Sequence, residues 1–182
     1  MAFWKEGASM SPKRQFRWLV TMNDELQWWA KTVTTPAYEV NSVEHDFMDN
    51  KYYYPGRVTW NTVTLTLVDP ANPDQVQATL DMIQRSGYLV KDETVASNNK
   101  SSRTISKAKA TSVGMKQMEI QVLGPNGAAL ETWTLKNPFI KSAKYGDLDY
   151  SSDELRTIEM EIQYDWAECD FKTGKDFSPT TV

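Results

Sequence analysis

Between Arg156 and Trp166 every second residue is apolar: Ile158, Met160, Ile162, Tyr164 and Trp166 alternate with Thr157, Glu159, Glu161, Gln163 and Asp165. A period of two over this length is the signature of a β-strand with one face in a core and the other in water. A helix would scatter the same apolar residues around its circumference, so the segment commits the chain to a half-buried sheet. The period returns three times. Phe16, Trp18, Val20 and Met22 fall on one side of a strand over 14–22, Val63, Leu65 and Leu67 interleave with threonines in 58–68, and Met118, Ile120 and Val122 oppose Gln117, Glu119 and Gln121 in 115–123.

The punctuation between these strands predicts how they connect. Asn23-Asp24 is a turn signal, and Leu26 to Thr35, carrying Trp28, Ala30 and Val33 and stopped by Pro36, reads as the hairpin partner of the first strand. Tyr38 to Val43 reads as a short strand. Glu44 to Asn50 has no period and is predicted to be an extended loop, closed by Tyr52-Tyr53-Tyr54-Pro55-Gly56. After Asp69-Pro70 the period changes from two to 3.6. Asn72 as N-cap, Pro73 in the first helical position, Val76, Leu80 and Ile83 on one face and Gly87 as the left-handed stop predict one α-helix over about 73–86, packed on a sheet. Gly124-Pro125-Asn126-Gly127 is a tight turn between 115–123 and a partner strand over 129–135, and 138–145 reads as another short strand. Residues 91–113 hold five basic and two acidic side chains and no aromatic, and read as an exposed basic arm with a helical turn around Ile105.

The chain has 182 residues and no internal repeat or second-domain boundary, so 1–182 reads as a single domain, mainly β. The predicted fold class is an antiparallel β-sandwich or barrel with one flanking helix. Aromatic residues make up 12% of the chain, and Trp18, Trp28, Trp60, Trp133 and Trp166 read as core.

Several chemistries lack their parts. A formal charge of -4 gives no global attraction to phosphate, Cys169 alone makes no disulfide framework or multi-cysteine metal site, and His45, the only histidine, has no nucleophile-elbow serine beside it. Gly-rich phosphate cradles are missing, so neither cofactor nor metal is expected. Met1 to Met10 shows no signal-type apolar region and there is no membrane-length apolar run, which reads as an intracellularly made chain without a membrane partner.

Two groups remain as candidate sites. Glu159, Glu161 and Asp165, with Glu119 possibly beside them, give a carboxylate-rich strand face. Alternate strand residues stand ~6.6 Å apart, compatible with a glycosidase pair. A catalytic pair needs unequal environments to separate its pKa values, and a uniform polar face does not supply them, so the chain reads as a non-enzyme. The face, extended by Gln117, Gln121 and Gln163, includes no cation of its own. Tyr52, Tyr53 and Tyr54 cannot all point to one side of a strand, so at least one faces outward as an interface anchor.

The order of these segments resembles a known family. Phe16-Arg17-Trp18-Leu19-Val20, Ala30-Lys31-Thr32-Val33 running to Pro36, and Trp60 to Leu67 followed by a short helix are similar to the tail tube protein of contractile-tailed bacteriophages of the T4 type. So are Gly124-Pro125-Asn126-Gly127, Thr132-Trp133-Thr134-Leu135, Gly146 to Tyr150 and the closing Arg156 to Trp166 strand. The resemblance covers about 14–168 and leaves the two ends as arms. It implies hexameric rings stacked into the inner tail tube of a virion, assembled in the host cytoplasm, through which DNA is ejected. If each of six subunits contributes four strands, the ~24-strand cylinder at ~4.8 Å spacing and ~40° tilt has a backbone diameter of about 48 Å. Implied partners are further copies of the chain, the tail sheath protein, the baseplate hub, the tail terminator, and tape-measure protein and DNA in the lumen without specific binding.

In such a tube an arginine-lined wall would hold DNA by counterion release, so Glu119, Glu159, Glu161 and Asp165 are expected to face the lumen and repel it. Tyr52, Tyr53 and Tyr54 are expected at inter-subunit contacts, with residues 44–56 and both termini ordered only on stacking. The basic arm is expected to meet an acidic surface on the sheath or a neighbouring ring. Two other readings remain open: the tube of a bacterial secretion or extracellular contractile injection system carrying protein, and a monomeric carbohydrate-binding β-sandwich using exposed Trp and Tyr.

Overall fold

The computed structural model describes residues 13–88 and 104–171. Two antiparallel sheets face each other. One contains β1 (Trp18–Met22), β2 (Glu25–Leu26), β7 (Met118–Leu123), β8 (Ala129–Lys136) and β11 (Trp166–Phe171), in the order β11-β8-β7-β1-β2. The other contains β3 (Ala30–Val33), β6 (Val63–Val68), β9 (Phe139–Lys144) and β10 (Thr157–Gln163), in the order β3-β6-β10-β9. Their inner faces make the core. Val20, Met22, Met118, Ile120, Leu135 and Ala167 meet Val63, Leu65, Leu67, Ile158, Met160 and Ile162, all buried. The period-two segments therefore form the mainly β sandwich expected of them.

The helix is present but turned and shortened. α1 spans Gln75–Arg85, and its N-cap is Asp74, whose carboxylate accepts from the Gln77 N–H at 3.1 Å. Asp69 Oδ1 accepts from the Gln75 N–H at 3.3 Å, so two carboxylates serve the first turn. The expected cap Asn72 and first helical residue Pro73 lie before the helix. Thr79 is its buried residue, with Oγ1 2.8 Å from the Gln75 carbonyl and 3.7 Å from Met160 Sδ, while Leu80, expected in the core, is exposed. A helical threonine can satisfy its hydroxyl on the preceding turn, which lets it replace a hydrocarbon on the packed face. Gly87 ends the helix at φ +109°, a left-handed conformation that a side chain disfavours.

Most of the basic arm, residues 91–103, lies outside the described residues. In the described part, Ser106 caps α2 (Lys107–Lys109), which runs into a π-helical turn over Ala110–Gly114. The turn starts after Ile105, which stays exposed, and packs with Met82 and Ile83 of α1 against Phe139 and Ile140 of β9. The arm is thus partly a wall of the domain.

Three further expectations are corrected. Phe16 precedes β1 and is exposed, because the strand begins at Trp18. The expected hairpin after Asn23-Asp24 lasts only the two residues of β2; a turn at 27–29, in which the Ala30 N–H donates to the Gln27 carbonyl at 3.2 Å, sends the chain into the other sheet and leaves Trp28 exposed. Finally, the 156–166 segment is not one strand. β10 ends at Gln163 and the chain bends through Tyr164-Asp165 into the opposite sheet. The bend inverts the alternation, so Ala167 and Cys169 point into the core and Trp166 is exposed.

The largest departure lies at 38–60. β4 (Tyr38–Phe47) and β5 (Asn50–Trp60) form a separate two-stranded ribbon, paired from Tyr38↔Trp60 out to Phe47↔Asn50. The predicted extended loop at 44–50 is the outer half of this ribbon. Neither of its faces is buried within a single chain, so no core-facing stripe marks it as a strand.

Candidate functional site: an exposed ribbon and the outer sheet faces

The ribbon is rooted in the core by aromatic stacking. Tyr38 meets Trp60 edge-on with ring centroids 5.4 Å apart, and Trp60 lies 6.0 Å from the buried Tyr164 ring, whose phenol burial pushes up to about 12. Near the root, Tyr38, Val40, Val58 and Trp60 share one face. Between Val40↔Val58 and Ser42↔Pro55 the register slips, and Gly56-Arg57 together oppose Asn41. This bulge changes which β5 residues share a face with which β4 residues.

Beyond the bulge, Val43, His45 and Phe47 stand with Tyr54, Tyr52 and Asn50. Ser42, Glu44 and Asp46 occupy the other face with Pro55, Tyr53 and Lys51, and Lys51 ion-pairs with Glu44. The outer ribbon is therefore amphipathic. Tyr52 and Tyr54 belong to the apolar face and Tyr53 to the charged one, the division between two sides that three consecutive strand residues require. All three are exposed, as are Val43, Phe47 and Met48 at the tip.

The four acids expected to line one wall are distributed. Glu159 and Glu161 do share the outer face of β10, between threonines of β6 (Thr66, Thr64) and residues of β9 (Lys144, Ser142). Glu119 lies on the outer face of the other sheet, paired in register with Thr21 and Thr134. Asp165 sits in the bend, where Lys107 Nζ donates to its two carboxylate oxygens at 2.8 and 2.6 Å and Asn137 Nδ2 donates at 2.8 Å. These contacts hold its carboxyl below the ordinary aspartate value, the Lys107 hydrogen bond foremost.

The cation-free reading of the face is corrected as well. β9, next to β10, brings Lys144 Nζ to 3.0 Å from Glu159 and Lys141 Nζ to 3.7 Å from Glu161. Hydrogen bonding to Glu159 raises the Lys144 ammonium above its ordinary pKa. Each acid on this face thus has a lysine neighbour from the next strand, a pairing invisible until strand order is known.

Among the described residues no group of three or more His, Cys, Asp or Glu could hold a metal ion. Cys169 is buried, and burial, before the nearby Glu131 charge, pushes its thiol up to about 11. Among the described residues no helix is long and apolar enough to cross a membrane. Sequence reading missed two exposed apolar groups: Phe16 and Trp28 beside β2 and β3, and Leu148, Tyr150 and Leu155 in the β9–β10 connection.

No protein-family model matches the sequence, and no curated protein matches it. Solved structures do match. A chain of the PVC sheath-tube complex, from an extracellular contractile injection system, superposes with a TM-score of 0.65 at 16% identity, covering 94% of this chain and 99% of that one. A chain of the tube-terminating cap of the anti-feeding prophage gives 0.66 at 18% identity, with the same coverage of 94% and 99%. A chain of the PVC sheath/tube terminator gives 0.64 at 18% identity, covering 89% and 99%. In fold, over nearly its whole length, this chain is similar to the tube proteins of contractile injection systems.

Proposed function

We propose that the chain is the structural subunit of a hollow tube, forming rings by edge-to-edge joining of its four-stranded sheet and stacking those rings inside a contractile sheath. The observation that carries this reading is the ribbon. A two-stranded ribbon is marginal on its own in water, and this one exposes Val43, Phe47, Tyr52 and Tyr54 on one face of its outer half. Such a surface is stable in use when another copy covers it.

The sheet edges support the same conclusion. β3 and β9 are the open edges of the four-stranded sheet and run in opposite directions, so joining β3 of one copy to β9 of the next continues the antiparallel alternation without a break. Closure removes both edges from water. The bore wall is then the outer face of this sheet, carrying Thr64, Thr66, Glu159, Glu161, Lys141 and Lys144, while Glu119 points away from it. Sheath, terminator and baseplate proteins are the partners such a tube would meet.

Passage of DNA in a phage tail is one use of the bore. A second use, in a secretion or extracellular injection machine, is passage of protein; Glu159–Lys144 and Glu161–Lys141 leave the wall close to neutral, so it neither holds nor repels a cargo of either sign and suits both uses. Electron microscopy of the purified protein tests the common claim. Rings or hollow tubes are expected; a particle that stays monomeric under all assembly conditions overturns it.

A further inference from the structure

The ribbon needs a seat, and the domain carries one of matching character. At the end of the sandwich where the ribbon is rooted, the mouth between the sheets forms a groove floored by Trp18, Val33, Ile120 and Val122. Its rim holds Lys13, Arg14 and Arg17 against the single acid Glu131, which ion-pairs with Lys13. The ribbon tip has the opposite balance. Residues 44–51 carry Glu44, Asp46 and Asp49 against Lys51, which is committed to Glu44. An apolar floor with a cationic rim faces an apolar strand face with an anionic tip.

We propose that the outer ribbon of one copy seats in this groove of a neighbouring copy in the same ring, Val43, Phe47, Tyr52 and Tyr54 on the apolar floor and Asp49, in the turn at the tip, toward Arg14 and Arg17. The proposal rests on the tube reading and names the contact that reading leaves open. Height supports a neighbour within the ring. The groove residue Thr34 donates its N–H to the Thr64 carbonyl at 3.0 Å, and the ribbon root is closed by the Asn61 N–H donating to the Ala37 carbonyl at 2.8 Å, so groove and root share one end of β6. Copies related by rotation alone place equal features at equal heights. A ribbon leaning sideways therefore meets the neighbour's groove, whereas one pointing along the axis meets the opposite end of the next ring. Reach supports it too: the seven residues from Ser42 to Met48 extend about 23 Å, and a four-stranded sheet is about 19 Å wide at ~4.8 Å per strand. The ribbon's own groove is not its seat, because every outer ribbon residue is exposed in the single chain.

Two measurements on full-length protein test this contact. Met48→Cys and Gln15→Cys chains, both sites exposed and Cys169 buried, are mixed, assembled and treated with a short bifunctional maleimide. A covalent dimer that forms from the mixture and not from either chain alone is expected. Second, Arg14→Glu with Arg17→Glu is expected to raise the critical concentration for assembly roughly tenfold at low salt, and adding Asp49→Lys to the same chain is expected to recover at least half of that loss on a logarithmic scale. If the wild type forms tubes while no cross-link appears, or the charge reversal has no effect or is not rescued, the seating is wrong and the tube reading stands. If the wild type forms neither rings nor tubes, both fall.

Discussion

Gly56 lies so close to Asn41 that a β-carbon on it would stand 2.9 Å from the Asn41 carbonyl oxygen. No real β-carbon tolerates that approach to backbone, so any side chain at 56 must displace the bulge. The bulge in turn decides which side of the ribbon is apolar: the root presents Tyr38, Val40 and Val58 on one face, and the outer half presents Val43, Phe47, Tyr52 and Tyr54 on the other. Gly56→Val is therefore expected to leave the melting temperature of the monomer within about 2 °C, since the ribbon adds little to the core, and to abolish assembly. Calorimetry beside sedimentation separates the two effects.

The division of the three tyrosines makes a sharper statement. Tyr52→Ser with Tyr54→Ser removes the aromatic anchors of the apolar face, whereas Tyr53→Ser alters the charged face opposite Glu44. Assembly is expected to fall at least tenfold for the double variant and about twofold or less for Tyr53→Ser, with both monomers within about 0.5 kcal/mol of wild-type stability. Light scattering against protein concentration reads the first effect and urea unfolding the second.

Asp165 gives a pH dependence whose sign follows from its contacts. Its carboxyl is held below the ordinary value of 3.8 by Lys107 and Asn137, so the stability it contributes is present above that pH and is lost as pH falls through the lower folded-state value. Asp165→Asn is expected to lower the melting temperature by about 2 °C at pH 7, with the difference shrinking steadily as pH falls below 3.8. A penalty unchanged down to pH 2 would show that the bend is held by shape rather than charge.

The paired wall predicts indifference to polyanions. Tubes of wild-type protein are expected to retain no duplex DNA, whereas Glu159→Lys with Glu161→Lys, which leaves Lys141 and Lys144 uncompensated, is expected to retain it with affinity falling steeply as salt rises. Filter retention across a salt series measures this. Equal retention by both proteins would remove these two acids from the bore.

What was legible in the sequence follows the same physics. Val63 to Leu67, Met118 to Val122 and Ile158 to Ile162 announced themselves because each buries one face, and burial writes a period of two into the residues. Where neither face is buried within the chain, as in the ribbon at 44–56, no burial writes a core face into the residues and a strand reads as a loop. Bends mislead in the opposite direction: Trp166 continues the alternation of β10 on paper, but the corner at Tyr164-Asp165 rotates it outward. That Tyr52, Tyr53 and Tyr54 cannot all face one side is legible in the sequence, whereas which ribbon residues share the face of Tyr52 and Tyr54 depends on the bulge. Glu159 and Glu161 were correctly placed on one face, while their lysine partners come from a strand 15–20 residues earlier in the chain and required the sheet order.

The account stands on the joining of β3 in one copy to β9 in the next. A cryo-electron-microscopy reconstruction of the assembled protein, at a resolution that separates strands ~4.8 Å apart, tests that directly. The account predicts an unbroken strand ladder running from Ala30–Val33 of one subunit to Phe139–Lys144 of its neighbour, with Glu159 and Glu161 facing the bore. A bore walled by the five-stranded sheet, with Glu119 and Glu168 toward the channel, would contradict it.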